Sequence, residues 1–85
     1  MMQEISANGK KILRLLTQQA MEGYSLMSRT GLKQDELQTA VDELLNRSLI
    51  SIKGAPSGDE LGKAYLWVPP NVQGRAEYLL GELER

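Results

Sequence analysis

The stretch from Tyr24 to Ile52 constrains the fold most, because it carries in succession the signals of a short helix, a turn, a longer helix and a strand. Ser25 is placed to cap a helix over 25–30, and Gly31 can end that helix in the left-handed conformation. Segment 34–47 has an apolar residue at every third or fourth position, which predicts a second helix. These apolar residues are Leu37, Ala40, Val41, Leu44 and Leu45. Segment 49–53 then predicts a strand, so the whole stretch predicts a helix-turn-helix leading into a sheet.

Another helix is expected ahead of this motif, over residues 8–21. Its apolar face is formed by Ile12, Leu13, Leu16 and Ala20, and its opposite face by Lys10, Lys11, Arg14 and Gln18. Gly23 is expected to close this helix. Residues 1–7 are expected to form a loose lead-in, from which Ile5 reaches the core.

A β-hairpin and a last helix are expected after the motif. A strand over 63–68 should pair with 49–53 across the loop 54–62, which contains three glycines and a proline. Tyr65 and Trp67 share one face of this strand, and we expect Trp67 to point inward. The pair Pro69-Pro70 should end the strand, because proline cannot donate to a sheet ladder. A terminal helix over 71–84 follows.

The fold class predicted from these elements is mainly α with a small β-hairpin, an α+β fold with a three-helix core plus a C-terminal helix. A chain of 85 residues has room for one core, so we expect one domain over 1–85. The predicted core consists of Ile12, Leu16, Leu37, Val41, Leu44, Ile50 and Trp67. Leu44 is expected at its centre.

The residue types that this sequence lacks argue against several classes of function. Cysteine and histidine are both absent, which removes thiolate chemistry, the commonest general base and the commonest metal ligand. The acidic pairs at 35–36, 42–43 and 59–60 lie where helix surface or loop is predicted, so we expect them to be solvated. We therefore expect no enzyme, no cofactor and no metal. No apolar run approaches the roughly 18 residues of a membrane span, so a cytoplasmic protein is expected.

Two segments carry a resemblance to a known family. The segment 31–50, GLKQDELQTAVDELLNRSLI, and the segment 64–80, AYLWVPPNVQGRAEYLL, resemble a winged helix-turn-helix domain of the MarR or PadR type. The likeness lies in the "GL" turn, the apolar pair of the recognition helix, the "LI" before the wing, and the tyrosine strand with its proline corner. Ser48 departs from the pattern, since these families usually have glycine before "LI".

The resemblance implies a DNA-binding transcriptional regulator whose third helix enters the major groove while the wing, 49–68, touches the backbone or minor groove. Carried over position by position, the implied base contacts are Gln34, Gln38 and Thr39. The implied phosphate contacts are Arg29, Lys33, Lys53 and Lys63.

The distribution of charge leaves a second interpretation open. Residues 1–33 carry five basic and two acidic side chains (net +3), and residues 34–85 carry five and nine (net −4), which together give the net charge of −1. Asp35, Asp42 and Glu43 make the third helix acidic, and acidic groups are repelled by DNA. The alternative is a winged-helix protein–protein interaction module that does not bind DNA.

The terminal helix predicts a homodimer. Its apolar residues are Val72, Ala76, Leu79, Leu80 and Leu83, a stripe too broad for one helix to bury on so small a body. We expect Leu79, Leu80 and Leu83 to form the dimer contact. A monomer whose last helix packs wholly on its own domain is the competing interpretation.

Overall fold

The computed structural model describes residues 5–54 and 58–83, which form four α-helices, one 3₁₀ helix and three short strands. The helices are α1 (Ala7–Gln18), α2 (Gly23–Thr30), α3 (Gln34–Asn46), the 3₁₀ helix (Gly58–Lys63) and α4 (Pro70–Leu83). The strands β1 (Met21–Glu22), β2 (Ser51–Lys53) and β3 (Tyr65–Trp67) form an antiparallel sheet in the order β1-β3-β2. This confirms the α+β class. The start of the predicted lead-in (1–4), the wing tip (55–57) and the end of the last helix (84) lie outside the described residues.

The helix-turn-helix forms where the sequence predicts it, with one change at its start. Gly31 ends α2 in the left-handed conformation (φ 76°), and its N–H donates to the carbonyl of Met27 at 2.8 Å. The prediction for Ser25 is wrong, because α2 begins at Gly23 and its N-cap is Glu22, which makes no side-chain capping bond. Ser25 therefore lies within the first turn of the helix.

The chain before α2 was predicted as helix and is partly a strand. Helix α1 ends at Gln18, and Met21 and Glu22 pair instead with Leu66 and Tyr65 of β3. Gly23 opens α2 rather than closing α1. It must be glycine for a packing reason, since a Cβ there would lie 2.1 Å from the carbonyl oxygen of Leu61 in the 3₁₀ helix.

Helix α1 is tied to α3 by a contact that no sequence signal indicates. The hydroxyl of Ser6 accepts from the N–H of Gly9 at 3.0 Å and donates to Oε1 of Glu43 at 2.8 Å. The N–H of Ser6 donates to the other oxygen of Glu43 at 3.1 Å. Ser6 is thus the N-cap of α1, and Ile5 is buried against the core as predicted. Ile5 and Ser6 are consequently held in place rather than loose.

Predicted core residues are buried with one exception. Leu37, Val41 and Leu44 of α3 are fully buried, and so are several apolar residues of the other elements: Ile12, Leu13, Leu26, Leu49, Leu61 and Leu66. Trp67 is the exception: it is only half-buried and lies on the outward face with Tyr65, their ring centroids 6.3 Å apart. The pairing register of the three strands explains why Trp67 points outward.

Leu66 is flanked across the sheet by Met21 and Ile52, which together make one apolar face. Tyr65 is flanked by Glu22 and Lys53, so its face of the sheet is turned to solvent. Both faces of the strand are apolar in sequence, and alternation alone could not choose between them.

The strands of the wing are shorter than predicted, and part of its loop is helical. Only 51–53 and 65–67 are strand, and the second half of the expected loop is the 3₁₀ helix, which packs against α2 and α3. Leu61 is its anchor, with 2% of its surface exposed. The proline corner is confirmed, since β3 ends at Trp67 and Pro70 is the first residue of α4.

Candidate nucleic-acid interface

The surface of α3 opposite the core is polar and accessible, as the helical spacing predicts. Gln34, Asp35, Thr39, Asp42 and Asn46 are exposed on it, and Gln38 beside them is half-buried. They lie opposite the buried leucines and Val41 because a helix turns about 100° per residue. This surface contains all three residues that were predicted to contact bases.

Two of these three side chains already have partners on their own helix. Nε2 of Gln38 donates to Oδ1 of Asp42 at 2.8 Å, and the hydroxyl of Thr39 donates to the carbonyl of Asp35 at 3.0 Å. Oε1 of Gln38 is buried and has no hydrogen-bond partner in the described part of the chain. Gln34 is engaged in an interaction of its own. Bidentate pairing of Gln38 with a base edge therefore requires it to exchange its bond to Asp42.

Acidic residues of α3 have structural partners that the sequence does not reveal. The carboxylate of Glu36 accepts from the N–H of Lys33 at 2.9 Å, and Oδ1 of Asp35 accepts from the N–H of Glu36 at 3.0 Å. These bonds satisfy donors at the start of the helix, where negative charge is also favoured by the helix dipole. Glu43 is held by Ser6 and is half-buried. The expectation that Glu43 is simply solvated is therefore wrong.

The predicted phosphate contacts are exposed and fall into two pairs along the chain. Arg29, in the last turn of α2, and Lys33, at the N-cap of α3, flank the Gly31 turn. Lys53 ends β2 opposite Tyr65, and Lys63 ends the 3₁₀ helix two residues before Tyr65. One pair of cations thus lies at the start of α3 and the other at the base of the wing.

A shallow hollow of about 280 Å³ lies between the start of α1 and the first turns of α3. It is lined by Ser6, Asn8, Asp35, Glu36, Thr39 and Ala40. Among the described residues, no group of three or more acidic, cysteine or histidine side chains is placed to hold a metal ion. None of the helices within 5–54 and 58–83 is long and apolar enough to cross a membrane.

The arrangement of these elements matches that of solved regulators. Lactococcus lactis ZitR (C30AH42A mutant) superposes with a TM-score of 0.72 at 15% identity, covering 93% of this chain and 53% of that one. Streptococcus pyogenes AdcR, an adhesin competence repressor, gives 0.70 at 16% identity, covering 96% and 60%. A MarR family regulator from Neisseria meningitidis gives 0.70 at 15%, covering 93% and 55%. The fold is a MarR-like winged helix.

The MarR-like winged helix here spans little more than half the length of those proteins. No family model matches the sequence, and no curated protein matches it either. The likeness is consequently one of backbone arrangement, carried by very few identical residues.

One residue of the resemblance gains a physical reason from this fold. Ser48 adopts a left-handed backbone conformation with φ 58°, the only non-glycine residue in the described part of the chain with positive φ. Glycine adopts that conformation without the strain that a side chain brings. Ser48 thus stands at a backbone position that glycine would occupy without strain, which agrees with the glycine of the family pattern.

Proposed function

We propose that this chain is the DNA-binding part of a transcriptional regulator, with α3 in the major groove and the wing against the backbone. The observation that carries the proposal is the accessible polar face of α3, with Arg29 and Lys33 at its start, in a MarR-like winged helix. Lys33 and Arg29, with Lys53 and Lys63 at the wing base, supply phosphate contacts. Gln34, Gln38 and Thr39 contact base edges.

The hydrogen bonds of α3 weaken the argument for a protein-binding module. Its acidity was the main reason to doubt DNA binding, yet Glu36 and Glu43 each hold a backbone N–H at the start of a helix. Asp35, Glu36 and Asp42 nevertheless remain exposed to solvent on α3. Binding is therefore expected to be modest and to depend on the few cations available, giving a shallow dependence on salt.

Anisotropy of labelled duplexes, one of preferred and one of random sequence, tests the proposal. Lys33→Ala should weaken binding to both duplexes alike, because a phosphate contact carries no sequence information. Gln38→Ala should instead narrow the difference in affinity between the preferred and the random duplex. Arg75→Ala, which removes an exposed cation on α4, is the matched control and should change neither. Equal behaviour of Lys33→Ala and the control would contradict the proposal.

The second part of the proposal is a homodimer through α4. Ala76 and Leu80 face the core of their own domain, with 0% and 7% of their surfaces exposed. Val72 and Leu79 are only partly buried, and Tyr78 is 65% exposed. The side chain of Leu83 lies outside the described residues. Leu79 is therefore the centre of the proposed contact, with Tyr78 beside it and Leu83 one turn further along the helix. Leu80 lies behind this contact, buried in the core of its own domain.

A two-fold dimer would place two copies of α3 on one duplex. Each copy then raises the effective concentration of the other at its half-site. That gain offsets the weakness expected of a recognition helix with three exposed carboxylates.

A further inference from the structure

A hollow of about 320 Å³ between α1 and α2 is lined by basic side chains and shares only Arg29 with the contacts proposed above. Its lining is Lys11, Arg14, Leu15, Arg29 and Thr30. Three of these five residues are cations that come from two different helices, and no acidic residue lines the hollow within the described part of the chain. We call it the α1–α2 groove.

The sequence of α1 leaves its positive charge uncompensated on its own helix. The helix, ANGKKILRLLTQ, contains Lys10, Lys11 and Arg14 and no acidic residue. Lys11 and Arg14 both line the groove and are three residues apart, so two like charges are neighbours on one side of the helix. A bound anion would relieve this repulsion.

The groove residues differ in whether their side chains are already engaged by other described residues. Lys11 and Arg29 are exposed, and neither forms an ion pair with another described residue. Arg14 already interacts within the chain, and the hydroxyl of Thr30 donates to the carbonyl of Leu26 at 2.6 Å. Lys11 from one helix and Arg29 from the other are thus the two side chains placed to hold a shared anion.

The position of the groove indicates which anion. Arg29 lies four residues before Lys33, the N-cap of α3, so one wall of the groove leads to the start of the proposed recognition helix. The other wall also leads to α3. Lys11 follows Asn8 by three residues on the same side of α1, and Asn8 and Thr39 both line the separate hollow between α1 and α3. An extended polyanion lying along α3 would pass this groove.

We propose that the α1–α2 groove holds a backbone phosphate of the bound duplex, with Lys11 as a contact that neither the sequence pattern nor the family resemblance assigns. The proposal rests on the proposed function and extends it, because it brings α1 into the DNA footprint. The recognised chemistry is a phosphate oxyanion held between an ammonium and a guanidinium.

Duplex affinity over a range of salt concentrations tests the groove with Lys11→Gln, Arg29→Gln and the double variant. Lys11→Gln should weaken binding to all sequences alike and reduce the slope of log K against log salt by about 1. The double variant should lose less than the product of the two single losses, because both side chains hold the same phosphate. Arg75→Gln removes a cation outside the groove and should leave affinity and slope unchanged.

The outcomes separate the groove from the function on which it rests. If the native chain binds duplex and Lys11→Gln binds as Arg75→Gln does, the groove proposal is overturned while the proposed function stands. Failure of the native chain to bind any duplex would overturn both.

A titration with inorganic phosphate, compared with chloride at equal ionic strength, tests whether the groove binds a phosphate of DNA or a free phosphate. Weak shifts of the α1 and α2 amide resonances with phosphate, and stronger ones with duplex, support the proposal. Shifts with phosphate and none with duplex would assign the groove to a free phosphate instead.

Discussion

At the scale of single residues, the contact between α1 and α3 depends on Gly9, which has no side chain. A Cβ on Gly9 would lie 2.6 Å from Oε1 of Glu43 and 2.7 Å from Cγ2 of Ile5. Glycine at this position therefore allows the carboxylate to reach Ser6. Sequence reasoning could not find the contact, because Ser6 and Glu43 are 37 residues apart. Ser6 lies in the predicted lead-in and Glu43 on a predicted helix surface. The bond of Gln38 to Asp42, by contrast, follows from their spacing of four residues.

We expect Gly9→Ala to lower the free energy of unfolding by about 1–3 kcal/mol, the usual range for an overpacked site. Gly74→Ala is the matched control, since a Cβ there meets nothing within 4 Å. It should raise the free energy of unfolding by up to about 1 kcal/mol, because alanine favours helix over glycine. Chemical denaturation gives both values. If Gly9→Ala proves as stabilising as Gly74→Ala, the close contact with Glu43 does not exist in solution.

At the scale of elements, the accuracy of prediction follows how strongly each element is marked in sequence. The bounds of α3 were predicted to within one residue, because Gly31 marks its start and its apolar spacing is regular. Strand β1 was missed, since its two residues acquire their conformation only by pairing with β3. The sequence predicts loop where the 3₁₀ helix lies, because its glycines suggest turns, while the burial of Leu61 depends on α2 and α3.

Helix α3, which packs against α1, should contribute most to stability through Leu44, which is fully buried. Leu44→Ala should lower the free energy of unfolding by about 2–5 kcal/mol, the range for buried leucines. Leu45→Ala, one residue further along and only partly buried, should cost less. Urea denaturation of the two variants checks this order. An unchanged midpoint for Leu44→Ala would contradict its central position.

At the scale of the whole molecule, the apolar residues of α4 divide between the domain and its outer surface. Sequence spacing predicted that Leu79 and Leu80 point in different directions but could not say which one faces inward. The 7% exposure of Leu80 decides this, and it also makes Leu80 unsuitable for testing a dimer, since a change there would damage the core.

Sedimentation should give a dimer for the native chain and a folded monomer for Leu79→Glu. The carboxylate would be buried without a partner in the dimer contact but solvated in the monomer. Asn71→Glu adds the same charge at an exposed position of α4 and should remain dimeric. A native chain that stays monomeric at high micromolar concentration would end the dimer proposal.

The central claim, that α3 and the wing bind DNA, is tested most directly by following the amide resonances of the labelled chain during titration with mixed duplex DNA at low salt. The account predicts shifts over residues 29–46 and at Lys53 and Lys63, which shrink when salt is raised because released counterions oppose binding. Shifts absent from α3 and the wing even at low salt would contradict it. The chain would then be a winged-helix module for a protein partner.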